Sequence, residues 1–339
     1  MLKLIKDWYT NNFTDPNQVS LAIVLIFAVL ITYILIHTIA PILVAIVLAY
    51  MLEGLVQYLM KISNLVRKFS VIIVFLVFLI LSIGISHGSL DHIKGKKLIK
   101  ILGFKEYYIF YLAYIFVGLL TIFVWLLFPK FLLFLFLIIA AFHFGKEDSA
   151  FISKNSNFEL IYFFKGCLVI ISPLLFHKNE TLSIFKSLNF DVSENILINN
   201  EILYLLLFLS FVANIILSLN KSFNSKSLLL MDFLSIIILN YFLNPLIAFT
   251  IYFCFLHSIR HSISLIKEIN KNIKKGLPVF LKKATPLTII TALAYLFSLF
   301  FLNNYYELTE AIYKVIFIGL ASLTFPHILL EYLIEKNEK

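Results

Sequence analysis

Apolar runs long enough to cross a bilayer follow one another almost without pause along this chain, and that leaves it few folds. A spanning helix needs about 20 apolar residues. Runs of this kind lie at 20–38, 41–60, 70–86, 107–128, 130–144, 158–176, 201–219, 228–243, 245–265, 285–302 and 311–333. Of the 339 residues, 61% are hydrophobic and 14% charged, whereas a soluble domain carries about 25% charge. Hydrocarbon offers no partner for an open backbone, and a helix satisfies its own. The expected fold class is all-α, a polytopic integral membrane bundle of about 10–11 spans. The 130–144 run is short and follows Pro129, and Asn244-Pro245 reads as a tight turn between two runs. The first run lacks a small-residue cleavage site, so no cleavable signal peptide is expected. Cys167 and Cys254 sit inside apolar runs and read as buried thiols.

The net charge of +9 is no nucleic-acid signal, because the lysines cluster in short loops between runs. Basic loops face the cytoplasm. The loops holding Lys94 to Lys105, Lys221 and Lys226, and Lys267 to Lys283 are therefore placed inside. The 177–200 and 303–310 loops, richer in acids, go outside. This alternates strictly from residue 91 to the end and makes the chain a multi-pass protein of the inner (plasma) membrane. The front breaks the pattern, since Lys61, Arg67 and Lys68 then fall outside.

Eight histidines stand out against this background. They include Ser86-His87-Gly88-Ser89-Leu90-Asp91-His92, Phe142-His143-Phe144-Gly145-Lys146-Glu147-Asp148, His257-Ser258-Ile259-Arg260-His261 and Pro326-His327. Polar groups at membrane depth are rare and usually functional. His257 and His261 lie four apart, on one helix face, a spacing that suits two ligands of one metal. By the loop charges, His87, His143, His257, His261 and His327 share the inner level, while His177 falls at the outer end. Asp91, Glu147, Asp148 and Glu331 lie at the same inner level and suit the carboxylates that orient metal-bound imidazoles. Arg260 would face lipid phosphate or pair with one of these acids. Gly88 and Gly145 directly follow histidines and allow close backbone approach or a helix break. An all-imidazole site accepts Fe, Zn, Cu or Ni, so spacing does not name the metal. Phe142, Phe144, Phe253 and Phe255 flank the histidines and are candidates for apolar walls beside them.

Taken together, these words resemble in order and spacing the Brp/Blh family of integral-membrane β-carotene 15,15′-dioxygenases, over about residues 80–339, with Thr324-Phe325-Pro326-His327 and Pro173-Leu174-Leu175-Phe176-His177 among the matching stretches. The resemblance implies an Fe(2+) centre held by His87, His143, His257 and His261. It implies cleavage of β-carotene by O2 at the central double bond to two all-trans-retinal, with a functional link to a microbial rhodopsin. Asp91, His92, Glu147, Asp148, Arg260, His327 and Glu331 would form the surrounding shell. The metal site would lie towards the cytoplasmic side, and the substrate, already dissolved in the lipid bilayer, would enter laterally.

Residues 1–80 resemble instead the amino terminus of the autoinducer-2 exporter-like permeases, through Trp8-Tyr9, Phe13-Thr14-Asp15-Pro16 and the run from Ala40-Pro41 to Glu53. Two domains are expected, 1–80 as a fused permease-like segment and 81–339 as the dioxygenase. The rival functions are a non-enzymatic carotenoid or retinal carrier and a permease fragment. A membrane di-iron hydroxylase would use about twice as many clustered histidines, and a haem-b carrier would need facing pairs at two depths.

Overall fold

A computed structural model describes residues 16–63, 66–84, 88–152, 158–190 and 199–337. Among these residues the regular structure is helical, with no strand. Nine of the described helices are long and apolar enough to cross a membrane, so this is a multi-pass helical membrane protein. The chain divides into two compact units, residues 1–75 and 76–339.

Helix α1 runs Pro16–Ser63, 48 residues without a break. The two separate runs expected at 20–38 and 41–60 are thus one helix. Pro41 removes one backbone donor, but Thr38-Ile39-Ala40-Pro41 contains no glycine or asparagine to reverse the chain. Helix α2 opens at Arg67, whose guanidinium grips both carboxylate oxygens of Glu53 at 2.7 and 2.9 Å. It runs Arg67–Leu79 and continues as a π-helical turn, Ile80–Gly84.

The second unit holds α3 (Asp91–Ile101), α4 (Tyr108–Leu127), α5 (Pro129–Glu147), α6 (Glu159–Phe176), α7 (Lys178–Ser187), α8 (Asn200–Ser218), α9 (Phe223–Phe242), α10 (Pro245–Ile251), α11 (Ile259–Ile269), α12 (Ile273–Leu302) and α13 (Leu308–Asn337). A π-helical segment, Tyr252–Ser258, joins α10 to α11 into one span. Local chemistry starts several helices. Asn244 caps α10 by accepting from the Ile247 N–H, with Pro245 at the first helical position. Ser222 and Asn199 cap α9 and α8 in the same way.

Two helices lie where loops were expected. Helix α3 falls in the basic 91–106 stretch, and its lysines mask a short apolar stripe in which Leu98 and Ile99 pack on Phe110 and Leu330. Helix α7 likewise buries Thr181 and Ile184.

Among the described residues, α5 and α6 cross very closely. A Cβ added at Gly145 would land on the Tyr162 carbonyl, and one at Gly166 on the Ala141 carbonyl. Small residues at such a crossing let two backbones touch, which is how helices associate in lipid. Helix α12 lies at the other extreme, with 6% of its apolar window buried. Both cysteines are free and buried, as expected.

Candidate metal centre

The site is built where three spans meet. Helix α5 brings His143, the π-helical segment before α11 brings His257, α11 brings His261, and α13 brings His327. All four side chains are buried. The His143 ring lies 5.3 Å from that of His257 and 5.4 Å from that of His327, and the His261 and His327 rings are 5.9 Å apart. The π-helical segment is wedged in place by its neighbours. Its Phe253 lies so close to Gly84 that a Cβ there would sit 2.7 Å from the ring. Phe253 also stacks on the His257 ring at 5.8 Å. Insertions of this kind are frequent at functional sites.

Three imidazoles are each held by a carboxylate. His257 Nδ1 donates to Asp148 Oδ1 at 3.0 Å, His261 Nδ1 to Glu147 Oε2 at 2.9 Å, and His327 Nδ1 to Asp91 Oδ2 at 2.8 Å. A carboxylate accepts and does not donate, so Nδ1 carries the proton and Nε2 bears the lone pair. Tyrosines hold two of the carboxylates in turn. Tyr252 donates to Asp148 at 2.6 Å, and Tyr114 to Asp91 at 2.7 Å. Burial by itself would raise the Asp148 carboxyl. His257, Lys165 and Arg260 outweigh it and hold it at about 2. Glu331 lies 3.7 Å from His327 Nε2 and accepts from Lys94 at 2.8 Å. Burial disfavours the Lys94 ammonium, but Glu331, Asp91 and Glu268 prevail and raise its pKa.

This donor set fits a divalent transition metal. Carboxylate-bound Nδ1–H groups fix tautomer and orientation, which is the arrangement found around metal-binding histidines. Ligand atoms of His143, His327 and Glu331 come within 4.8 Å of one another.

The structure places most of the sequence-derived residues together, with differences. His87 lies outside the described residues. His327, expected in the surrounding shell, has its ring inside the cluster, because Asp91 and Glu331 pull it there from two sides. His92 donates to the Ser89 carbonyl at 3.0 Å and lines the adjoining cavity. Arg260 makes no side-chain pair with the expected acids among the described residues. It forms a bidentate pair with Asp232, at 2.7 and 2.8 Å, because the helix turn between His257 and His261 points it away from the rings. His177 caps the far end of α6 from the loop that carries Asp148. Gly145 serves the close helix approach without breaking its helix. Sequence reading missed Tyr114, Tyr252, Lys165 and Asp232. Lys165 and Asp232 are lone charges inside apolar runs, a signal that would have found them.

A cavity of about 990 Å³ opens onto His143, His257 and His327. Its walls are largely apolar, from Trp125, Phe136, Phe144, Phe249 and Phe253. Of the four phenylalanines expected there, Phe144 and Phe253 line it. Phe142 packs instead near Tyr162 and Leu229, and Phe255 is exposed.

Fold and site thus define a class, a helical membrane protein with a buried cluster of carboxylate-held imidazoles beneath a large apolar cavity. The chain matches the family described as beta-carotene 15,15′-dioxygenase over residues 78–335, and it belongs to that family. It is an oxygenase. It is 28% identical over 263 residues to a beta-carotene 15,15′-dioxygenase of an uncultured marine bacterium, 66A03, covering 74% of this chain and 90% of that relative. No solved structure matches.

Proposed function

We propose that this protein splits β-carotene at its central 15,15′ double bond with O2, one oxygen atom going to each of two all-trans-retinal molecules, at an Fe(2+) site. The observation that carries this reading is the apolar cavity ending on imidazole rings. A long hydrocarbon fits such walls, and imidazoles at their end suit a redox metal. His143, His257 and His261 would hold the metal, joined by His87 on the strength of the family resemblance and by His327 through its place in the ring cluster. Iron, when bound, would supply the activation of O2.

The protein's own residues do the rest. Asp148, Glu147 and Asp91 keep three rings turned so that Nε2 faces away from the carboxylate. Phe144 and Phe253 exclude water and flank the polyene. Entry is lateral. Ile115, Leu119 and Leu126 on α4 and Ile290, Phe297 and Phe301 on α12 line the cavity and are largely exposed. Apolar residues of this kind on both helices support the space between α4 and α12 as the route from lipid. The loop lysines support a site towards the cytoplasmic side of the inner membrane, and the product would suit a microbial rhodopsin.

Expression in a carotene-producing bacterium, followed by chromatography of the pigments, tests the reading. β-Carotene should fall as retinal appears. Longer apocarotenals would mean cleavage away from the centre, and unchanged carotene with inserted protein would favour a carrier.

Residues 1–80 are taken as a permease-like fusion, and the described histidines of the cluster all lie beyond residue 76. A chain started near Ser70 should therefore keep its retinal yield per inserted protein within about twofold, because lipid, itself apolar, can face the apolar helices of the second unit. Normal insertion without retinal would assign the front to the enzyme.

A further inference from the structure

Behind the histidine cluster lies a second group of buried charges. Lys165 projects from the middle of α6, 6% exposed, and its Nζ has no hydrogen-bond partner among the described residues. It lines a cavity of about 10 Å³ together with Asp148, Asp232, Arg260, Asn214 and Tyr252. The Asn214 amide donates to the Ser210 carbonyl at 2.9 Å, while its Oδ1 is buried without a partner among the described residues. Arg260 closes the group by gripping Asp232 and reaching the Asp148 carbonyl at 3.4 Å. The close crossing at Gly145 and Gly166 explains why Lys165 lies beside Asp148, since each is next to or near one of these glycines in sequence.

The volume is about that of one water, and a buried water needs two to four polar partners. Lys165 offers a donor, Asn214 Oδ1 an acceptor, and the two carboxylates further acceptors. Two cations and two carboxylates balance to zero. Stability alone does not explain the group, because buried ionic clusters are often replaceable by apolar residues at no loss. Both oxygens of Asp148 are committed, one to His257 and one to Tyr252. Whatever fixes that carboxylate fixes the His257 ring.

We propose that Lys165, Asn214 and Asp232 hold one buried water against Asp148, and that Lys165 is thereby a positioning residue for the metal centre. The inference rests on the metal reading above. Residues that orient ligands from behind commonly change metal affinity or activity about 10–100-fold. Lys165 acts through Asp148, so the lower end is expected.

The test uses the purified, iron-loaded protein and measures loss of Fe(2+) to a chelator beside the kinetics of carotene cleavage. Lys165→Met should release iron about tenfold faster and lower kcat about tenfold, with KM unchanged. Lys165→Gln, which keeps a donor for the water, should fall between this variant and the wild type. A folded Lys165→Met protein that releases iron at the wild-type rate overturns the proposal. Should that variant fail to insert, Asn214→Leu, which leaves every charge in place, carries the test. It should release iron faster, and a wild-type rate again overturns the proposal. If the wild-type protein itself takes up no iron, the metal reading falls and this inference with it. Wild-type uptake with unaltered variants removes the inference alone.

Discussion

Replacing His143 with alanine is expected to abolish retinal formation and strip the bound metal. His143 lies within 5.4 Å, ring to ring, of both His257 and His327, so its loss opens the middle of the cluster. A fall of at least about a thousandfold in turnover, about 4 kcal/mol of barrier, is the expected size. His257→Ala and His261→Ala should behave alike, and so should His87→Ala, assigned on the family resemblance. His177→Ala should keep its metal, because it caps the far end of α6. Metal content by elemental analysis, set beside pigment chromatography, checks all of these. Full iron occupancy in a folded His143→Ala protein would sink the ligand assignment.

An equally large effect, on folding rather than chemistry, is expected from a single methyl group at the α5–α6 crossing. Gly145→Ala and Gly166→Ala each drive a Cβ onto a backbone carbonyl of the facing helix. Overpacking against side chains costs about 1–3 kcal/mol. A backbone carbonyl cannot swing aside as a side chain does, so the cost here should exceed about 3 kcal/mol. The two helices would move apart, carrying His143 and Asp148 away from His257. The measurement is the yield of monodisperse protein in detergent and its thermal midpoint. Gly54→Ala is the comparison, since among the described residues nothing lies within 4 Å of a Cβ there. It should leave both quantities unchanged or improve them, alanine being the better helix former. Alanine at 145 or 166 that matched the wild type would mean that the crossing is looser than described.

The spans from residue 67 onward were legible in the sequence because hydrocarbon demands long apolar helices and tolerates little else. All nine runs expected from residue 70 on correspond to helices that can cross a membrane. Where boundaries moved, tertiary partners moved them. Helix α5 continues past residue 144 to Glu147 because the polar residues there are met by partners such as His261. Relative depth was also legible, since helical residues advance about 1.5 Å each, and His143, His257, His261 and His327 could be placed at one level by counting. Rotation about each helix axis was not. These spans are apolar nearly all round, so no polar stripe says which face turns inward. Which carboxylate meets which imidazole therefore waited for the packing. Asp148 reaches His257 across 109 residues of chain, and Asp91 reaches His327 across 236. The same packing brought His327 into the ring cluster and Lys165 up behind it. Sequence by itself determined the class of fold and singled out the histidines within it, because both follow from what lipid excludes. The tertiary structure alone decided the pairings, because these depend on how helices rotate and how closely two glycines let them approach.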